Sequence, residues 1–201
     1  LLEMAPDSPQ ASRWKSLREG IERNVRAHLW DVKRQKFIPH IYPEKSPIPE
    51  GFDELAIHYH GGTAVAIEAG LLSKDEIRTV NAQMLENVRL SGMPSIGLTL
   101  YPVYPDGFFH GGMSKAYLYQ NGGDWTWFGG RMIQQLVVNG MVEEAYAEIH
   151  PMIERVIQND GFYEWYGKGG VPSGSGNFKG SAGVLSKAIE LLRDWAEKNK
   201  S

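Results

Sequence analysis

Residues 126–158 read TWFGGRMIQQLVVNGMVEEAYAEIHPMIERVIQ, and the fold turns on how this stretch is parsed. Thr126 to Val138 predicts a helix, and Asn139-Gly140 supplies a stop signal. Val142 to Gln158 starts a second helix at once, with Ala145, Ile149, Ile153 and Val156 on one face. So short a turn forces the second helix back along the first, which makes a helical hairpin.

The same pattern recurs on both sides. Upstream, a short apolar run from Thr63 to Leu72 is followed by Ser73-Lys-Asp-Glu76, a capping box that opens a helix to about Ser91. Ile77, Val80, Met84 and Val88 form its inner face. Ser12 to Trp30 is an amphipathic helix with Trp14, Leu17, Ile21, Val25 and Leu29 in register, and Gly180 to Lys198 is a last one with Val184, Ala188, Leu191 and Leu192. The connections alternate in length. Residues 31–62, 92–125 and 159–179 are long, whereas 70–73 and 139–141 are tight. Antiparallel helices put successive connections at opposite ends, so all the long loops are expected on one face. The unit repeats every 55 to 65 residues or so, as in helical-hairpin arrays. The expected fold is all-α: about three hairpins with their long loops on one face, forming either half of a closed ring or an open stack, with strands limited to short loop pairings.

Composition narrows the function. The chain has 201 residues, 42% of them hydrophobic, and a formal net charge of -3. That length suits one domain, and the charge balance speaks against a nucleic-acid partner, which needs a basic footprint. No apolar run approaches the ~18 residues of a membrane span, and the first dozen residues lack signal-peptide regions, so a soluble chain is expected. With no cysteine there is no disulfide, thiolate site or Cys nucleophile, and the compartment is left open.

The long loops hold most of the aromatic and polar residues, including His40, Tyr42, His58, His60, Tyr101, Tyr104 and His110. Tyr119-Gln-Asn-Gly-Gly-Asp-Trp-Thr-Trp127 sets amides, a carboxylate and two indoles just before a helix start. Indoles stack on the apolar face of a sugar ring, and Gln120 and Asn121 offer both donors and acceptors to its hydroxyls. Alternatively, Trp125 and Trp127 pack beneath the loop and Asp124 only caps the helix. Gly161-Phe-Tyr-Glu-Trp-Tyr166 places Glu164 among aromatics, a setting that suits a general acid or base, although a lone loop Glu is more often a surface charge. Gly169 to Gly176 lacks the Lys-Ser/Thr of a phosphate loop, and Gly174-Ser-Gly176 lacks a nucleophile elbow. His58 and His60 alternate as a metal pair would, but no third ligand stands at characteristic spacing, so no metal is expected.

Tyr119-Gln-Asn-Gly-Gly-x-Trp-x-Trp127, then Phe162-Tyr-Glu-Trp-Tyr166, then Gly176-Asn-Phe-Lys-Gly-Ser-Ala-Gly183 together resemble the C-terminal part of six-hairpin, (α/α)6-toroid glycosidases. Trehalases, processing α-glucosidases, neutral invertases and debranching glucosidases carry similar series. The resemblance implies an O-glycosyl hydrolase that uses no cofactor and acts by inversion on an α-glucoside or related sugar. It makes Glu164 the general base and Gln120, Asn121, Trp125 and Trp127 the sugar-binding wall. His60, Tyr101, Asp124, Tyr166, Asn177 and Lys179 are further candidate substrate contacts on the same face. Relatives usually carry Trp-Pro-Trp where this chain has Trp125-Thr-Trp127. Their acidic Asp lies well upstream of a segment similar to Leu29 to Lys36, so the acid and the other hairpins are expected outside this chain. The apolar flanks at Trp14, Leu17, Ile21 and at Leu191, Leu192, Trp195 are then expected to meet the rest of the ring or a second copy. The alternatives are a non-catalytic carbohydrate-binding module and a phosphorolytic relative with phosphate near Lys179.

Overall fold

The computed structural model describes residues 3–200. Among them six helices form the scaffold: α1 (Ala11–His28), α2 (His60–Glu68), α3 (Lys74–Ser91), α4 (Thr126–Val138), α5 (Val142–Gln158) and α6 (Lys179–Lys198). Strand is confined to three antiparallel pairs in the long connections. β1 (Trp30–Asp31) pairs with β2 (Lys36–Phe37), β3 (His58–Tyr59) with β4 (Leu100–Tyr101), and β5 (Trp165–Tyr166) with β6 (Pro172–Ser173). This is the all-α architecture of helical hairpins that the alternating connections predict.

Local chemistry sets the tight turns. Ser73 Oγ accepts from the Glu76 backbone N–H, and Glu76 Oε2 accepts from the Ser73 N–H, so two otherwise unpaired donors at the start of α3 are satisfied reciprocally. Glu76 also pairs with Arg26 at 2.6 Å, which ties α1 to this corner. Between α4 and α5, Gly140 takes φ 83 and lets the Met141 N–H return to the Leu136 carbonyl.

The helices fall into two kinds. α2 and α4 are apolar on most sides and largely buried, and α4 packs against α2 on one side and α6 on the other. α3 and α5 run back behind them and bury one stripe each. The core joins Ala64 and Ile67, Ile77, Val80 and Met84, Met132, Ile133 and Leu136, Ile149 and Met152, and Leu185 and Ala188. Each fully buried Val, Leu, Ile or Met side chain among these contributes about 1.5–3 kcal/mol of burial. Gly130 lets α4 lie close against α6, since a Cβ there would lie 3.0 Å from Val184 Cγ2.

Two charged residues interrupt the buried stripe of α5. Glu148 is 7% exposed, and its Oε1 accepts from Asn81 Nδ2 of α3 at 2.7 Å. Its Oε2 and Asn81 Oδ1 are buried without partners. Burial, only partly offset by the Asn81 bond, pushes the Glu148 carboxyl up to about 7. Arg155 is the other, and it belongs to the loop face.

Two flanks stay open. No residue of α1 is buried, and Leu17 and Ile21 are exposed. An apolar groove of about 530 Å³ runs between α5 and α6, lined by Tyr146, Ile149, Ile153, Ile189, Leu192 and Trp195 among others.

Candidate functional site

The long loops meet at one end and are stitched by backbone pairing. The Asp124 N–H donates to Tyr166 O at 2.9 Å, and the Tyr166 N–H returns to Asp124 O at 2.7 Å. Asp124 also bridges Leu98, Trp125 N–H donates to Gly97 O at 2.8 Å, and His60 N–H donates to Thr99 O at 2.9 Å. Farther along, Phe178 N–H reaches Phe162 O at 2.8 Å and Glu164 N–H reaches Ser175 O at 2.9 Å. The N-termini of α2, α4 and α6 therefore open together on this face, where their unpaired N–H groups and positive dipole ends lie.

Beneath the seam is a sealed polar layer. The Asp124 carboxylate is fully buried, 2.8 Å from Arg155 Nη1, and accepts from Ser95 Oγ at 2.7 Å. Arg155 Nη2 donates to Thr126 Oγ1 at 2.6 Å, and the guanidinium lies 4.0 Å over the Tyr166 ring. Asn121 is equally buried: its Oδ1 accepts from the Tyr104 N–H, and its Nδ2 donates to Tyr104 O and Lys115 O. The side chains of Asn121 and Asp124 are enclosed, with their hydrogen bonds made inside the loops, whereas Tyr166 is buried against Arg155 with its hydroxyl unpaired. Trp125 is 5% exposed, with its indole N–H on Tyr119 O, so it backs the wall rather than lining it.

Above this layer stands Glu164, half-buried on the strand-like segment leading into β5. Tyr119 Oη donates to its Oε1 at 3.4 Å and the Ser175 N–H to its Oε2 at 3.3 Å. Burial first, then the Glu164 charge and its hydrogen bond, raise the Tyr119 phenol above its ordinary value. Tyr119 sits at φ 53, a strained conformation for a bulky residue, held there by Gly123 N–H and the Trp125 indole N–H on its carbonyl. Its ring meets Trp125 and Trp165 edge to face at 4.9 and 6.2 Å. Gly174 takes φ 71 against the Glu164 side chain, where a Cβ would collide with the carboxylate.

The remaining predicted residues divide between the cleft and the rest of the face. Gln120, Asn177 and Lys179 are exposed, the first beside Tyr119 and the others at the entry to α6. Trp127 is half-buried, with the Arg131 guanidinium 4.4 Å over its ring. Tyr101 lies on β4 opposite His58, on the α2 side. His60 is 1% exposed, its Nε2 is 3.0 Å from Asn87 Nδ2, and burial drives its pKa to about 3. It is thus a neutral, enclosed histidine. Among the described residues no group of three or more His, Asp or Glu is placed to hold a metal ion.

Sequence reasoning missed two groups. Arg155 could have been found as a charge inside the apolar stripe of α5. Glu54 gave no signal, since its partners are distant in sequence. Its Oε1 accepts from Tyr42 at 2.8 Å and Tyr104 at 2.7 Å and pairs with His40 Nδ1 at 2.7 Å. Burial opposes ionisation there, but the bonds from Tyr104, His40 and Tyr42 prevail and hold Glu54 below its usual pKa.

No protein-family model matches the sequence, and no curated protein matches it. Among solved structures the chain is similar to the crystal structure of a GH63 mannosylglycerate hydrolase from Thermus thermophilus in complex with Tris and D-glycerate, with a TM-score of 0.60 and 14% identity. The match covers 96% of this chain and 41% of that one. The two share a fold: the described hairpins have the form of part of an (α/α)6 toroid, the fold of GH63 glycosidases. The chain spans well under half the length of that hydrolase.

Proposed function

We propose that this chain is the base-bearing portion of an inverting glycoside hydrolase acting on an α-glucoside or a related sugar. The observation that carries the reading is Glu164. Its carboxylate stands in an aromatic face at the joint N-terminal end of α2, α4 and α6, oriented by Tyr119 Oη and the Ser175 N–H. The two donors stand at 3.3–3.4 Å, long for hydrogen bonds, so they orient the carboxylate weakly and leave it lone pairs to take a proton from water. Trp127 supplies the stacking surface, and Gln120, Asn177 and Lys179 supply exposed polar groups around it. The shared fold with a glycosidase supports this assignment.

Inversion needs a second carboxyl, an acid about 6.5–9.5 Å from the base. Asp124 is locked to Arg155 and is not available to a leaving group, and the proposal places the acid on a segment outside these residues. The sealed Asp124 equally favours a second reading, a sugar-binding module without turnover.

Glu164→Gln in the full natural polypeptide tests the assignment. It preserves shape and removes basicity, so turnover on α-glucosides should fall about 10²- to 10⁴-fold with sugar binding retained. Trp127→Ala should instead weaken sugar binding by about 1 kcal/mol or more. Unchanged turnover in Glu164→Gln refutes the base. Sugar binding without turnover in the unmodified polypeptide selects the binding module.

A further inference from the structure

Alone among the six helices, α1 buries no residue. Its ties to the body lie near its C-terminal end, where Arg26 pairs with Glu76 and its guanidinium lies 4.5 Å over the Trp30 ring. Its middle carries an open apolar stripe, with Leu17 53% and Ile21 61% exposed. Residues four apart share a helix face, so Arg13, Leu17 and Ile21 form one row that begins with an exposed cation. The helix is basic overall, since Arg13, Lys15, Arg18, Arg23 and Arg26 stand against Glu19 and Glu22. At 18 residues it is little longer than the ~12–15 below which an unpacked helix is marginal in water.

The groove between α5 and α6 has the converse character. Its apolar side chains are accessible, with Tyr146 68%, Ile189 44% and Trp195 44% exposed. A smaller hollow of about 90 Å³ shares Ile153 and Ile189 with it and continues to Ile157 and Phe162, so one apolar channel follows α5 along its length. At ~1.5 Å per residue, α5 is about 26 Å long and α1 about 27 Å. The equivalent position one hairpin earlier is filled, because α5 itself packs its Ala145, Ile149 and Met152 into the core shared by α3 and α4. The channel is a seat for a helix. Its α5 edge is acidic, with Glu143, Glu144 and Glu154 exposed, and only His150 lies beside Glu154, at 3.5 Å. On α6, Lys187 pairs with Glu190 and Arg193 with Asp194, so the neighbouring cations are already matched.

One chain cannot bring these two surfaces together. Arg26 anchors α1 at the turn between α2 and α3, and α4 stands between α2 and α6. Two chains can.

We propose that the α5/α6 groove is the docking site for α1 of a second copy of this chain, exchanged reciprocally in a two-fold dimer. Lying parallel to α5, the incoming α1 sets Arg13 against Glu143 at the mouth of the groove and lays Leu17 and Ile21 over Tyr146, Ile149 and Ile153. A helix laid by its apolar face into an apolar groove is a general recognition mode. The dimer makes the contact twice, so each needs to supply only half of the about 1,200–2,000 Å² that a specific interface buries. The proposal does not depend on the role of Glu164.

The test is the mass of the 201-residue chain in solution, by light scattering and sedimentation over micromolar concentrations. The expected species is about 45 kDa, twice the 22.5 kDa of one chain. Leu17→Glu changes a side chain that is already exposed in the single chain, so it spares folding and should leave a monomer. Arg13→Glu and Glu143→Arg each set like charges against one another at both contacts and should each raise the dimer Kd about tenfold. An equimolar mixture of these two variants restores opposite charges at both contacts of the mixed dimer and should recover the parent affinity. A monomer at every concentration overturns the proposal and leaves the groove to another segment or partner. A dimer that Glu143→Arg weakens and Leu17→Glu leaves intact overturns it in favour of groove-to-groove pairing. Failure of the mixture to recover affinity overturns it as well.

Discussion

Glu148 is a carboxyl that the fold keeps nearly dry, and replacing it with glutamine should stabilise the protein in a pH-dependent way. Its folded pKa of about 7 lies above the ordinary value of 4.5, so the folded state binds the proton more tightly than the unfolded state does. The sign follows from linkage. The group costs nothing below about pH 4.5, where both states are protonated, and stability is lost as pH climbs from there through 7. A shift of that size corresponds to about 3 kcal/mol at pH 8, at ~1.4 kcal/mol per unit. Glu148→Gln keeps the acceptor for Asn81 Nδ2 and adds an N–H for the orphaned Asn81 Oδ1, so a half-made pair becomes a reciprocal one. Urea denaturation at pH 5 and pH 8 measures the effect. The variant should be more stable than the parent by up to about 3 kcal/mol at pH 8, with most of that gain absent at pH 5. Equal pH dependence in the two proteins, or a gain of the same size at both pH values, would refute the reasoning.

Asp124→Ala leaves Arg155 buried without its partner, which costs about 3–5 kcal/mol; thermal unfolding should show a large fall in midpoint, and a small one would mean water reaches the pair. Ser73→Ala removes one arm of the capping box and should cost about 1 kcal/mol, read by chemical denaturation. Gly174→Ala places a side chain at φ 71 and against the Glu164 carboxylate. It should reduce turnover more than it changes the unfolding midpoint, and unaltered turnover would show that the position of this carboxylate does not matter.

The helices were legible because their determinants are local. The Ser73 box and the Asn139-Gly140 stop each lie within a few residues of the boundary they set, and α4 and α5 begin and end where periodicity places them. α2 starts at His60 instead of Thr63 for a reason no local pattern carries. Gly61 looks like a turn glycine, yet it is helical, and it is glycine because the Phe128 ring lies where a Cβ would be. The candidate site was legible only in outline. A polar residue in an aromatic loop reads as a ligand contact, but whether it faces solvent depends on partners elsewhere in the chain. For Asn121 the partner is Tyr104, and for Asp124 it is Arg155, 31 positions away.

The backbone seam through Asp124 has a consequence for anyone who would re-engineer the loops. Asp124 pairs with Leu98 on one side and Tyr166 on the other, so each loop is templated by the next. In many scaffolds a loop can be grafted singly because its ends are anchored and its middle is free. Here the middles are the anchors. An insertion or swap in residues 92–125 would shift the register of the segment carrying Glu164, so these loops are exchangeable as a set and not one at a time. Hydrogen exchange offers a direct reading of that unity: the amides of Asp124 and Tyr166 should open together, at the same rate and with the same denaturant sensitivity, although they belong to different hairpins.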